Sequence, residues 1–407
     1  MRTRIVERLG AWGGRAGSAA VARGVPPSWL GWRWVRRQTV VEHCAGRGDP
    51  PDGARCETVH PQSVSRHALP LNVARRDKLP GERGWWGFSF RDVPTRVNGP
   101  TFVATLRDCT VVWYRDPDRD DDFFPAILSR DGVAVDLREI RFRERHAEVL
   151  RRSGPPRRLR RATWIAERVY HNYSHWLTAH VPKLLLLRDR GALADALLPP
   201  ERTAAIDGSL RLAGLDPGRF PSFDPSRPLR VDELTVVGTD RFRPELLRLV
   251  PQAYGATGGR PPRRRVFISR ARAARRRLAN EDEVWALLEP AGFERVHTEG
   301  LTFEEQVALM RETSVLCALH GAGLANMLFC PPGAHVIEIA DPAFPNPNFY
   351  ATAAALGHHY WLLAAEPAAA TAAPPGWRDL RVDPGAVRAL LPGLDDRLRL
   401  TVAWAGR

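Results

Sequence analysis

Between Ser314 and Ile339 the chain sets a short turn, His320-Gly321-Ala322-Gly323, between two apolar runs. Glycine lets a backbone approach a ligand closely, and a helix starting directly after the turn would aim free N–H groups at an anion. The turn is therefore a candidate phosphate cradle built from Gly321, Ala322 and Gly323. Three nearby side chains could complete such a site. His320 could donate to a phosphate or sugar oxygen, or simply be a satisfied structural histidine. Asn326 stands one helical turn past Gly323, and Glu338 ends the next apolar run, where it could accept from ribose hydroxyls or serve as a cap. Arg270 closes a further apolar run, Val266-Phe267-Ile268, and guanidinium groups grip phosphate oxygens in pairs. Arg270 opens an arginine-dense loop with Arg272, Arg275, Arg276 and Arg277. That run as a whole reads as a solvated basic loop, with Arg270, fixed at the end of its strand, as the phosphate contact.

A second constellation lies earlier, at Tyr170-His171-Asn172-Tyr173-Ser174-His175-Trp176-Leu177, followed by His180, Pro182 and Lys183. Ser174 can cap a helix and put His175 in its first turn. A helix N-terminus disfavours imidazolium, so His175 would stay neutral and available as a base. The alternative is a histidine packed beside Trp176.

The elements that must position these residues follow from periodicity. From Arg265 onward, short apolar runs alternate with helical segments at 281–288 and 303–311, and with strands at 293–297, 315–319 and 335–339. Such alternation predicts a parallel sheet covered on both faces, with ligands held beyond the carboxyl ends of the strands. Ser269-Arg270, His320-Gly321 and Glu338 all fall at that edge. Asn280 with Glu283, and Thr302 with Glu305, have the spacing of capping boxes, which assigns both glutamates to helix ends. Upstream, β-type runs at 101–106 and 110–114 lead into a first mixed domain, with a helix over 174–188 and loops at 216–228 and 255–262. The expected division is an irregular basic extension over 1–80, an N-terminal acceptor-side lobe over 84–228, and a C-terminal nucleotide-binding lobe over 229–370. Residues 371–407 form an extension packing back on the lobes.

The chain has 407 residues and a formal net charge of +14, yet Lys78 and Lys183 are the only lysines among 60 basic residues. This arginine bias discounts nucleic acid as a partner, because the cations are scattered among acids instead of gathered on one element. No G-x-G-x-x-G with an acid about 20 residues on follows an early strand, which disfavours a nicotinamide-dependent oxidoreductase. The five cysteines show no CxxC pair and no metal-ligand spacing; Cys317 and Cys330 read as buried free thiols, and a reducing compartment follows. The basic N-terminus has no apolar core of signal-peptide length, and no run of about 18 apolar residues occurs anywhere. The expectation is a cytoplasmic protein, with Trp29, Trp32 and Trp34 either docked on their own domain or touching the inner face of a membrane.

The ordered set of Asn172 to Leu177, Pro182, Ile268-Ser269-Arg270, Asn280 to Glu283, Gln306, His320 to Asn326, Phe329 to Gly333 and Ile337-Glu338 resembles glycosyltransferase family 61, the DUF563 or capsular-polysaccharide-biosynthesis type. The likeness covers about residues 160 to 365. It implies a GT-B-like α/β architecture of two Rossmann-like lobes with parallel sheets and a cleft between them. It further implies a nucleotide-sugar donor on the C-terminal lobe, a glycan or lipid-linked acceptor, inversion at the anomeric carbon, cell-surface or capsular polysaccharide synthesis, and no required metal or other cofactor. His175 would be the catalytic base, with Asn172, Tyr173 and Trp176 on the acceptor side. One departure stands out. Family members commonly carry a carboxylate four positions after the helix histidine, and here that position is Ala179, which leaves a catalytically silent nucleotide-binding scaffold as the alternative.

Overall fold

The computed structural model describes residues 35–46, 53–84, 86–116, 122–255, 262–369 and 373–405, together with residues 16 and 20. The tryptophan cluster at 29–34 and residues 256–261 of the loop expected at 255–262 therefore lie outside the described residues. Along the described chain run β1 (Arg37–Thr39), β2 (Arg55–His60), β3 (Ser63–Arg66), β4 (Thr95–Asn98), β5 (Thr101–Asp116), β6 (Asp122–Leu128), β7 (Ala134–Asp136) and β8 (Arg157–Trp164). They are followed by β9 (Ala196–Leu197), β10 (Leu229–Gly238), β11 (Arg264–Ile268), β12 (Phe293–Val296), β13 (Thr313–Leu319), β14 (His335–Ala340), β15 (His359–Pro367) and β16 (Leu380–Val382). The chain forms two compact units, one of residues 1–63, 99–210 and 214–240, the other of 64–98, 211–213 and 241–407.

The first unit holds an eight-stranded sheet of order β1-β7-β6-β5-β10-β8-β9, with β2 also paired to β5. Its strands run parallel between β8 and β10, β8 and β9, and β1 and β7, and antiparallel around β5. The expectation of a parallel sheet thus fails for this unit's centre, because β5 and β6 follow one another closely and pair as a hairpin. The two runs expected at 101–106 and 110–114 are one sixteen-residue strand. Asp108 interrupts its regularity with φ 50°, without ending it. Residues 35–46 and 53–80 are folded, contributing β1, β2 and a capped helix at Val40–Cys44, and are not an irregular extension. β10 belongs to this unit's sheet, which moves the boundary expected at 228 to about residue 240.

The second unit holds a six-stranded sheet of order β12-β11-β13-β14-β15-β16, parallel throughout except for β16. β14, with the sequence HVIEIA, is buried at every position, as a strand covered on both faces must be. One face of the sheet packs Phe267, Val315, Ile337 and Trp361 against Val284, Leu288 and Leu394. These apolar side chains contribute about 1.5–3 kcal/mol each when fully buried. Residues from Leu380 to Leu398 belong to this core, through β16 and the helix Pro384–Ala405. β15 pairs with β16 only over its last residues, and its remaining edge is met by the early segment at Leu71 and Asn72. Leu71 N–H donates to Tyr360 O at 2.8 Å, and the Asn72 amide both gives to and takes from the Leu362 backbone at 2.7 and 3.0 Å.

The capping box at Thr302 and Glu305 is formed. The one expected at Asn280 and Glu283 is not. Asn280 bonds the backbone of Val382 with both ends of its amide, and Glu283 pairs with Arg381. A tertiary partner outcompetes the local cap. Cys317 and Cys330 are buried free thiols, and burial pushes the Cys317 thiol up to about 12. No helix among the described residues is long and apolar enough to cross a membrane.

Candidate functional site

In the second sheet the chain leaves β11 for β12 on one side and returns to β13 on the other. The strand order therefore reverses between β11 and β13. Ligands of doubly wound sheets lie outside the carboxyl ends of the strands at such a reversal. Ser269-Arg270 follows β11, and His320 to Gly323 follows β13, so the two motifs singled out by sequence meet at this point. Gly321 has an extended backbone, φ 169°, that any residue could adopt. A Cβ there would come 2.7 Å from Nη1 of Arg270, the far end of a flexible side chain that would have to shift to admit it. The turn thus receives a guanidinium as well as any ligand. Arg270 is also a clamp on its own loop, its Nε donating to the Arg276 carbonyl at 2.9 Å and its Nη2 to that of Arg275 at 3.1 Å.

His320 is nearly buried, edged by the rings of Phe344 and Phe349, and its Nδ1 bonds Oε1 of Glu338. The other carboxylate oxygen, Oε2, accepts from the Tyr360 hydroxyl. Glu338 has no exposed surface, because it sits mid-sheet on β14 with neighbours on both sides. Its expected ribose contact does not fit that burial; the carboxylate instead orients His320 from behind. With both carboxylate oxygens accepting, the ring proton sits on Nδ1 and leaves Nε2 as the nitrogen able to meet a ligand.

The segment after the turn is helical as expected, but as a 3₁₀ helix, Ala322–Phe329, buried on all sides from Leu324 on. Asn326 is fully buried and donates to Oε1 of Gln306 at 3.1 Å. It braces the 3₁₀ helix against the helix Phe303–Arg311, and donor contact by its side chain does not fit that burial. Ala322 and Gly323 remain partly exposed.

In the first unit, Asn172 caps the helix, its Oδ1 accepting from the N–H groups of Ser174 and His175 at 3.0 and 3.3 Å. Ser174, expected to be the cap, lies two residues past it, inside the first turn. A helical stretch at Tyr173–His175 passes into a π-turn over Trp176–His180 and then into the helix Val181–Asp189. Pro182 explains the wide turn: it has no N–H, and its ring excludes the carbonyl four residues back. Side chains satisfy the freed carbonyls. Thr178 Oγ1 donates to Ser174 O at 2.6 Å and His180 Nδ1 bonds His175 O at 3.1 Å, while Val181 N–H reaches Trp176 O. Trp176 is buried, stacked on His180 and bonded to Ser209, so it packs the core instead of facing an acceptor. His175 and Tyr173 stay partly exposed.

Beneath this turn lies a buried charge cluster. Glu167 accepts from Lys183 and from Arg138, and its own N–H donates to Nε2 of His180 at 3.0 Å. Burial holds the His180 ring far below the ordinary imidazole range, at about 3, while Arg138 and Lys183 hold Glu167 ionised. The two hydrogen bonds fix His180 as the neutral Nδ1–H tautomer. Val169, next to this cluster, has φ 61°, a left-handed conformation that costs a β-branched residue about 1–3 kcal/mol.

Residues 173–337, from the start of the His175 helix into β14, match the family model described as Glycosyltransferase 61. Over this segment the chain is similar to the glycosyltransferase 61 family. It is 38% identical over 93 residues to the EGF domain-specific O-linked N-acetylglucosamine transferase of Drosophila melanogaster, covering 21% of this chain and 18% of that protein. It is 35% identical over 106 residues to the beta-1,2-xylosyltransferase XAX1 of Oryza sativa subsp. japonica, covering 26% of this chain and 19% of that protein. The matched segments span about a fifth of the length of these relatives.

Within residues 173–337, sequence reasoning named His175, Arg270 and His320 but gave no role to Lys183, and outside them it passed over Glu167, Arg138 and Tyr360. Lys183 carried a signal. A lone cation inside Val181-Pro182-Lys183-Leu184-Leu185-Leu186-Leu187 must be paired when the run is buried. Its partner, 16 residues back on a loop, carried none. The carboxylate looked for at position 179 came from the family resemblance; in the π-turn the residue bonded to the His175 carbonyl is His180, five positions on, with Glu167 behind it. Among the described residues, no group of three or more His, Cys, Asp or Glu side chains could hold a metal ion.

Proposed function

We propose that this protein is an inverting glycosyltransferase of GT-B type that moves a sugar from a nucleoside-diphosphate sugar to a hydroxyl acceptor. The observation that carries the proposal is the placement of the Arg270 guanidinium against Gly321 at the strand-order reversal, beside a His320 backed by Glu338. In the proposed mechanism the donor diphosphate lies on Arg270 and the backbone of Gly321 to Gly323. The charge that develops on the leaving diphosphate is met by guanidinium instead of by a resident cation. His320 Nε2 contacts a donor oxygen. His175, presented from the first helical turn, takes the proton of the acceptor hydroxyl as that oxygen attacks the anomeric carbon on the face opposite the departing diphosphate. N-acetylglucosamine and xylose, the sugars in the relatives' names, are the first donors to try, and a glycan or lipid-linked hydroxyl in polysaccharide synthesis is the acceptor class proposed.

The test combines binding with turnover. A thermal-shift panel of nucleoside diphosphates and sugar nucleotides should find at least one stabilising ligand, with about 2.7 kcal/mol gained at 100 times its dissociation constant. The same sugar nucleotide should be consumed, and His175→Ala should abolish consumption while leaving the shift intact. No shift with any nucleotide would remove the donor site. A shift without consumption in the unmodified protein would favour a silent nucleotide-binding scaffold.

A further inference from the structure

The loop after β11 holds a cation to which the mechanism above gives no role. Most arginines around it have found carboxylates: Arg277 bonds Asp379 through Nε at 3.1 Å and Nη2 at 2.9 Å, Arg378 bonds Asp341, and Arg381 bonds Glu283. Arg275 lies flat over Trp377, 3.6 Å from the ring centroid. Arg276 differs from all of these. Its side chain is half-buried, its Nε is buried without a hydrogen-bond partner, and the charges facing it are Arg270 and Arg275, both cations. Burial and these two neighbours pull its guanidinium down to about 10. Its backbone sits at φ 55°, a region glycine occupies at no cost and other residues rarely enter. A strained main chain therefore holds a guanidinium among like charges, a costly arrangement that a bound anion would relieve.

The clamp by Arg270 sets the geometry. Because Nε and Nη2 of Arg270 are spent on the carbonyls of Arg276 and Arg275, the loop is closed into a fixed curl. Nη1 of Arg270 is left beside Gly321. We infer that Arg276 is a second anion-binding residue, and that the Arg270–Arg277 loop with the Gly321 turn takes two linked phosphoryl groups rather than one. This assignment rests on the donor site proposed above, since it puts the anion at the same strand ends. It assigns Arg276 a binding role where sequence reasoning left the arginine run as a solvated loop.

The experiment is calorimetric titration of inorganic pyrophosphate, orthophosphate and the four common nucleoside diphosphates into the full chain and three variants. In Arg276→Gly the left-handed backbone is kept without strain, so removal of the side chain does not threaten the fold. Pyrophosphate and whichever nucleoside diphosphate binds should weaken about tenfold or more, the loss of one charge-assisted contact. The ligand-free urea midpoint should hold or rise as a like charge leaves the cluster. Arg276→Lys should recover part of the affinity, since it restores charge without the planar fork. Arg272→Ala, at an exposed position of the same loop, should stay within twofold. Orthophosphate should bind the unmodified protein at least tenfold more weakly than pyrophosphate. Unchanged pyrophosphate affinity in Arg276→Gly overturns the assignment, as does a ligand-free midpoint that falls, which would mark the side chain as structural. If no polyphosphate binds the unmodified chain at all, the donor site itself is lost. If the diphosphates bind and Arg276→Gly makes no difference, only the role of Arg276 is lost.

Discussion

The ring of His180 bonds the main-chain carbonyl of His175 through Nδ1, at 3.1 Å, and its Nε2 accepts the N–H of Glu167, at 3.0 Å. One buried imidazole thereby ties the turn that presents the proposed base to the loop that follows β8.

Replacing His180 with alanine should leave that N–H and that carbonyl buried without partners, at about 1–3 kcal/mol each. The urea midpoint should fall accordingly. Turnover should fall as well, with nucleotide affinity unchanged, because the π-turn beneath His175 is released. His180→Asn, which keeps a donor and an acceptor, should restore part of the stability. A His180→Ala protein with unaltered kcat would show that the turn does not set the position of His175.

Much of the second unit was legible in the sequence for a physical reason. Parallel strands buried on both faces are short continuous apolar runs, and each was followed by a helix whose period and start signals are local. The meeting of Arg270 with the His320 turn followed from that alternation alone. The first unit was opaque because its sheet is joined by non-local pairs, such as β10 between β5 and β8, which no local pattern announces. Glu338 looked like a strand-end ligand because its burial depends on Tyr360, 22 residues on, offering a hydroxyl. The wide turn at Trp176–His180 could have been suspected from Pro182, but its partners Glu167 and Arg138 come from separate loops.

The His320, Glu338 and Tyr360 chain should behave as a unit. Tyr360→Phe removes one of two bonds to a fully buried carboxylate and should cost about 1–3 kcal/mol. Glu338→Gln retains shape but weakens the hold on His320, so donor KM should rise several-fold with a smaller change in kcat. Equal stability of Tyr360→Phe and the unmodified protein, measured by urea unfolding, would count against the bond.

Lys183 tests the buried cluster. Lys183→Met leaves Glu167 with Arg138 alone and should destabilise by about 3–5 kcal/mol, the usual result of breaking one side of a buried ion pair. Combined with Glu167→Gln it should lose less than the sum of the two single losses, since the Lys183–Glu167 pair is broken only once. Additive losses in the double variant would mean that the two groups do not interact.

Acid should unfold both units early. Burial lowers His146 and His180 in the first unit to about 4 and 3, and His335 and His358 in the second to about 3 and 4, all from 6.5. A lowered folded-state value means that the unfolded chain binds more protons below pH 6.5, so stability is full above that pH and declines as pH falls toward 4 or 3. Each group costs about 1.4 kcal/mol per pH unit in this window, hence about 2 kcal/mol per histidine at about pH 5. Urea midpoints from pH 8 to 5 should stay flat down to about 6.5 and then drop. His335→Gln and His180→Gln should flatten the slope, each in its own unit. A midpoint constant from pH 8 to 5 would rule out neutral burial of these rings.

The contact of Leu71 and Asn72 with the open edge of β15 bears on how the chain acquires its shape during synthesis. Residues 64–98 leave the ribosome before the whole of the first unit's remaining sheet, yet the strand they cover is made nearly 300 residues later. β3 and β4 can pair with each other at once, but Leu71 and Asn72 must wait unpaired, or be shielded, until β15 arrives, and pairings so distant in sequence close slowly. A fragment beginning near residue 241 would carry all six strands of the second sheet and still expose β15 as a bare edge. Its expected fate is edge-to-edge association, which adding the 64–98 segment in trans should suppress.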